Sequence, residues 1–151
     1  MTTSDLASAF EAQCLQALSR REHSKGELLA KKAAELDEES AVAVIEGLAE
    51  RGWQSDWRYC QSYVRSKSNS GNGALKIKQG LQRSGISAEM LREALEEIDW
   101  FALAAQVYAK KYPQTTKNRA ERAKRQRFMV QRGFSFEEIR HAESCAEHED
   151  G

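Results

Sequence analysis

A chain of 151 residues has room for one compact domain or a short array of repeats, which excludes a second, catalytic domain beside it. With 40% hydrophobic and 30% charged residues it is a folded chain with a heavily charged surface, not a disordered one, and no stretch nears the roughly 20 apolar residues of a membrane span. The formal charge is zero, but its distribution is dipolar: five basic residues against ten acidic ones in 1–50, and nine basic residues against Glu121 alone in 110–132.

Apolar residues recur at spacings of three, four and seven throughout, and no run alternates long enough for a strand, so the fold class is all-α. The periodicity and its breaks predict nine short helices: 6–21, 25–35, 38–51, 56–67, 74–84, 88–98, 100–112, 117–132 and 136–146. Leu6, Phe10 and Cys14 make the first apolar stripe, and Ala41, Val44, Ile45 and Leu48 make another. Phe101, Ala104, Ala105, Tyr108 and Tyr112 make the most complete one, ended by Pro113, the sole proline. Residues 1–20 carry Asp5 and Glu11 and lack a basic segment followed by an apolar one, so a cytoplasmic location is expected.

A stop-and-restart signal recurs at Leu48–Trp53, Leu81–Ile86 and Met129–Phe134, each ending in glycine and then an apolar residue. In a Schellman ending the glycine takes the left-handed position and the next residue packs back on the helix. The expected contacts are Trp53 on Leu48, Ile86 on Leu81 and Phe134 on Met129. Ser55, Ser87 and Ser135 then cap the following helices, and Ser135 with Glu138 makes a capping box. A degenerate copy with Glu22 in place of glycine precedes a second box, Ser24 with Glu27. Four such corners suit a repeat scaffold of three-helix units stacked in a curved line better than a repressor with one recognition helix.

Cys14, Cys60 and Cys145 are too few and too scattered for a disulfide framework or zinc finger; they read as packed thiols. His141 and Cys145 lie one helical turn apart but lack the further ligands of a structural metal site. No phosphate-binding loop, nucleophile motif or HExxH is present, so neither an enzyme nor a cofactor is expected. Trp57, Cys60 and Val64 read as core, and no nucleic-acid role is assigned to Tyr59 or Tyr63.

Two basic tracts remain. Arg58, Arg65, Lys67, Lys76 and Lys78 lie in an acid-free stretch, 57–88. Lys117, Arg119, Arg122, Lys124, Arg125, Arg127 and Arg132 crowd a helix whose apolar stripe is only Ala120, Ala123, Phe128 and Met129, so little of it is needed for packing. Both tracts are candidate partner- or DNA-binding surfaces, with Arg122, Lys124, Arg125 and Arg127 placed first.

Leu18-Ser19-Arg20-Arg21-Glu22-His23-Ser24, followed by Glu27-Leu28 and Lys31, resembles the N-terminal signature of the RecX family. Gly52-Trp53, Arg58-Tyr59, Tyr63-Val64-Arg65 and the stretch from Gly73 to Ile86 are similar to its middle, and Arg127-Phe128-Met129 through Arg132-Gly133-Phe134-Ser135 to its close. The resemblance covers residues 14–140. It implies three tandem three-helix repeats in an elongated curved array, here 1–53, 54–98 and 99–147 with an acidic tail at 148–151. It further implies a regulator, expected as a monomer with no membrane partner, that binds the RecA recombinase filament and inhibits its ATPase, strand-exchange and coprotease activities. Single- or double-stranded DNA is a further partner. The alternative is a stand-alone DNA-binding helical module. The chain departs from the family pattern at Ser55, where an acidic or amide residue is common, at Met129 for leucine, and at Gly80 inside a helix.

Overall fold

A computed structural model describes the backbone of residues 1–150 and the side chains through His148; the acidic tail expected at 148–151 continues α9 as backbone through Asp150, and its last residue lies outside the described residues. The helices are α1 (Thr3–Arg20), α2 (Lys25–Leu29), α3 (Glu38–Glu50), α4 (Asp56–Asn69), α5 (Ala74–Arg83), α6 (Ala88–Leu95), α7 (Trp100–Lys111), α8 (Arg119–Gln131) and α9 (Phe136–Asp150). No strand occurs among the described residues. The all-α reading holds element by element, and the differences lie at the ends.

α1 begins three residues early because Thr2 and Asp5 form a reciprocal capping box. α2 stops at Leu29 instead of residue 35. Tight bonds from Lys31 to the Leu28 carbonyl and from Lys32 to that of Leu29 turn the chain, which brings Leu36 into the core at 1% exposure before Asp37 caps α3. α6 stops at Leu95, whose carbonyl accepts the Trp100 indole N–H at 2.9 Å, and Asp99 caps α7 through the Ala102 N–H.

The three glycine corners form as expected. Gly52, Gly85 and Gly133 have φ of 79°, 82° and 99°. The amides of Trp53, Ile86 and Phe134 donate to the carbonyls of Leu48, Leu81 and Met129 at 3.0, 3.2 and 3.2 Å, closing the Schellman loop in each case. Ser55, Ser87 and Ser135 accept from the third amide beyond, as caps. A further loop of the same kind, unforeseen, ends α4: Gly71 has φ 88° and the Asn72 amide reaches the Lys67 carbonyl at 3.0 Å. The expected degenerate corner is not one, because Arg21 leaves α1 in an extended conformation. With Glu22 rather than glycine there, the chain takes the inexpensive extended exit. Ile86 and Phe134 are buried, whereas Trp53, whose amide closes the same kind of loop onto Leu48, is 59% exposed.

The chain makes two compact units. The first comprises 1–62 with 81–91; Phe10, Cys14, Leu28, Leu36, Ala41, Ile45 and Leu48 form its core. The second comprises 63–80 with residue 92 onward; Ala104, Tyr108, Met129, Phe134, Ile139 and Ala142 form its core. Each unit contains the same backbone junction. In the first, Gly26 in α2 sits on the α5–α6 corner, where an added Cβ would lie 2.6 Å from the Ser84 carbonyl oxygen. In the second, Gly73 before α5 sits on the α8–α9 corner: its N–H donates to the Arg132 carbonyl at 2.7 Å, and the Leu75 N–H to that of Gly133 at 3.1 Å. A side chain at either glycine would separate the two backbones.

Gly80, the departure from the family pattern inside α5, has a packing reason: a Cβ there would collide with the Tyr63 hydroxyl. Cys14 and Cys60 are fully buried, and burial pushes both thiols up to about 11. Cys145 is only half-buried. A thiol reagent at neutral pH is therefore expected to modify one cysteine of the native chain, at position 145, and all three only in denaturant; rapid native labelling of Cys14 or Cys60, read by mass spectrometry, contradicts this packing.

Candidate functional site

The charged residues fall into two sets, one consumed by the fold and one left on its surface. In the first unit several are consumed by the fold. Arg21 binds Glu27 through both guanidinium Nη atoms at 3.1 Å. Burial raises the Glu27 carboxyl, but Arg21 and the Ser24 N–H outweigh it, and the group ends below the ordinary carboxylate range. Glu22 pairs with Arg58 at 3.1 Å, and Arg58 also donates to the Gly52 carbonyl at 2.8 Å. Gln54, 2% exposed, donates to the His23 carbonyl and to Asp56, which also accepts the Lys25 N–H at 2.9 Å. The Ser24 hydroxyl donates to the Ser84 carbonyl at 2.8 Å. The Arg21-to-Gly26 signature is thus a structural latch joining α2 to α4 and to the α5–α6 corner. Arg58, predicted as a partner contact, belongs to that latch.

In the second unit Arg125 also departs from its predicted place. Only 7% exposed, it donates to the Tyr108 hydroxyl at 3.3 Å, the Gln114 carbonyl at 2.8 Å and Glu121 at 3.2 Å, and its guanidinium lies 4.6 Å from the Tyr112 ring centroid. Burial acts against its charge, but the hydrogen bonds it donates to Tyr108 and Glu121 prevail and hold its pKa above the ordinary arginine value. A side chain so enclosed presents nothing to a partner. Arg122 is exposed but paired at 2.9 Å with Glu143, a buried carboxylate that Gln126 also binds, so it fastens α8 to α9.

The other predicted cations stand clear. Arg65 and Lys67 on α4, Lys76 and Lys78 on α5, Lys117 before α8, and Arg119, Lys124 and Arg127 on α8 are exposed, and none has an ion-pair partner among the described residues. Arg132 is half-buried and reaches the Ser70 carbonyl at 3.4 Å. With them stand Lys110 and Lys111 at the end of α7, counted in the charge tract but not singled out.

Arg132, Lys110 and Lys111 edge a pocket of about 420 Å³ between the end of α4, α7 and α8. Leu103, Val107 and Phe128 supply apolar walls, residues 68–71 close one side, and no lining residue is acidic. Lys111 Nζ lies 5.2 Å and Arg132 Cζ 5.3 Å from the Phe128 ring centroid, while Tyr112 meets that ring at 87° and 5.8 Å. Phe128 reads from sequence as part of a packing stripe; only the apposition of α4 and α7 makes it a pocket wall. His141 and Cys145 face each other with Nε2 and Sγ 3.4 Å apart, but no group of three ligands for a metal occurs among the described residues. No helix there is long and apolar enough to cross a membrane.

Comparison with known proteins assigns the chain. Residues 55–95 match the family description "RecX, second three-helix domain", and residues 97–142 match "RecX, third three-helix domain". The Regulatory protein RecX of Chromohalobacter salexigens is 40% identical over 131 residues, covering 85% of this chain and 86% of its own. That of Actinobacillus pleuropneumoniae is 39% identical over 130 residues, covering 84% and 85%. The crystal structure of RecX from Lactobacillus salivarius shares the fold with a TM-score of 0.81 at 22% identity, over 96% of this chain and 99% of that one. With its three-helix domains, its glycine corners and its signature latch, the chain belongs to the RecX family of regulatory proteins.

Proposed function

We propose that this chain binds the RecA–DNA filament stoichiometrically and inhibits its ATPase, strand-exchange and coprotease activities, acting in the cytoplasm as a monomer with no catalytic step and no cofactor. Family membership supports the class of activity. The observation that carries the reading in this chain is the unpaired basic surface of the second unit, spread over α4, α5, α7 and α8. A nucleoprotein filament offers phosphates and acidic side chains to such a surface, and counterion release on contact makes the affinity fall with salt. Residues 1–53, 54–98 and 99–147 are assigned as the three repeats; the paired junctions of Gly26 and Gly73 support that division, because each joins the second helix of one repeat to the last corner of the next. Inhibition then reflects a difference in affinity between filament states.

The test is a titration of this protein into RecA's single-stranded-DNA-dependent ATPase, with its binding to bare DNA measured at the same salt. Inhibition is expected well below the concentration that occupies bare DNA. Retained DNA binding with no inhibition identifies a stand-alone DNA-binding module instead.

A further inference from the structure

The pocket edged by Lys110, Lys111 and Arg132 has a chemistry more specific than a basic surface. Its three cations share the site with no acidic lining residue, and Leu103, Val107 and Phe128 give it apolar walls. Water fills such a cavity poorly against its walls and well at its rim, so the fitting ligand has one apolar group flanked by negative charge. About 420 Å³ accommodates side chains rather than a run of backbone.

Two kinds of ligand meet that description at first sight, an unpaired nucleotide and an acidic peptide. The Phe128 ring separates them. It already holds Lys111 and Arg132 over it and Tyr112 edge-to-face, so a base stacking there competes with the cations that its own phosphate would need. A peptide makes no such demand: an apolar side chain enters between Leu103 and Val107, and carboxylates on either side of it meet Lys110 and Lys111 at the rim, where both are exposed. We infer that this pocket is a docking site for an acidic linear segment of a partner protein, anchored by one apolar side chain between carboxylates. The inference rests on the reading of the second unit as the partner-binding face and names the protein chemistry that face selects.

A fluorescein-labelled peptide with the core Asp-Glu-Phe-Asp-Glu between Gly-Ser flanks tests it by anisotropy against the full chain. Three comparisons accompany it: the same peptide with phenylalanine changed to serine, the same peptide with its acids changed to amides, and a labelled twelve-nucleotide oligo-dT. The acidic peptide is expected to bind saturably. Affinity should fall at least tenfold with either altered peptide and with the K110E/K111E variant, whose helicity by circular dichroism stays unchanged. Amide chemical-shift changes in the wild-type chain should centre on residues 68–71, 103–111 and 128–132.

Equal binding of the serine peptide reduces the site to diffuse ionic attraction and overturns the inference. So does absence of binding at millimolar peptide, or oligo-dT that binds more tightly, displaces the peptide and loses affinity in K110E/K111E, which marks a nucleic-acid site. If peptide binding fails while wild-type ATPase inhibition persists, only the pocket's assignment falls; if peptide binding holds while inhibition is absent, the RecA reading falls instead.

Discussion

Replacing Gly133 with alanine is expected to lower the stability of the chain by about 3 kcal/mol, the largest loss of any glycine-to-alanine change. Two separate costs meet at this residue. Its φ of 99° places an L side chain in the left-handed half of backbone space, roughly 1–2 kcal/mol by itself. A Cβ there would also lie 2.6 Å from the Lys76 Cβ and 2.7 Å from the Lys76 nitrogen, and the nitrogen belongs to backbone that cannot swing aside. Overpacking of that kind adds about 1–3 kcal/mol. Gly73→Ala carries only the second cost, with the Gly133 carbonyl carbon and oxygen both 2.5 Å away, and should lose about 2 kcal/mol. Gly52→Ala carries only the first, since nothing lies within 4 Å of its Cβ position, and should lose about 1 kcal/mol. Urea midpoints of the three variants should fall in that order. Equal losses at Gly133 and Gly52 with none at Gly73 would mean that the corners matter only for their φ and that the α5-to-corner junction is loose.

Reversing Lys124 and Arg127 together to glutamate is expected to raise the amount of protein needed for half-inhibition of RecA at least tenfold, with stability within about 0.5 kcal/mol of wild type. Both side chains are exposed and unpaired among the described residues, so the change alters the field met by an approaching filament and little else. Arg125→Ala should behave in the opposite way. It leaves the Gln114 carbonyl and the Tyr108 hydroxyl without their donor and empties the space over Tyr112, at a cost of about 2–4 kcal/mol. Any loss of inhibition in that variant should track its thermal unfolding and recover on cooling. Lysine at 125 should not restore stability, because a single ammonium cannot reproduce the planar fork that reaches Tyr108, Gln114 and Glu121. A stable, helical Arg125→Ala chain that no longer inhibits would return Arg125 to the partner surface.

The contrast between Arg125 and its neighbours shows where sequence reasoning stops. Among the described residues the nine helices, three of the glycine corners and the serine caps are legible because each depends on bonds spanning no more than five or six positions. A Schellman loop needs its glycine locally, and a capping box needs its serine and glutamate three apart, whatever lies beyond. The early end of α2 escapes the same reasoning: Ala30, Lys31, Lys32 and Ala33 are good helix formers, and the turn there is imposed by the burial of Leu36.

Charge was legible as a quantity and not as a position. Seven basic residues between 117 and 132 announce a surface, but the direction in which each points depends on where Tyr108, Gln114 and Glu143 lie, and these come from other elements. Arg58 was engaged at the surface by Glu22, thirty-six positions away, and Phe128 became a pocket wall only beside α4 and α7. The sequence by itself determined the helices, their corners and the nearly one-signed charge of the 110–132 tract, since those follow from local hydrogen bonding and composition. Which cations remain free, and the pocket some of them edge, was decided by tertiary packing alone, because a charge is satisfied or left open by residues that only folding brings within reach.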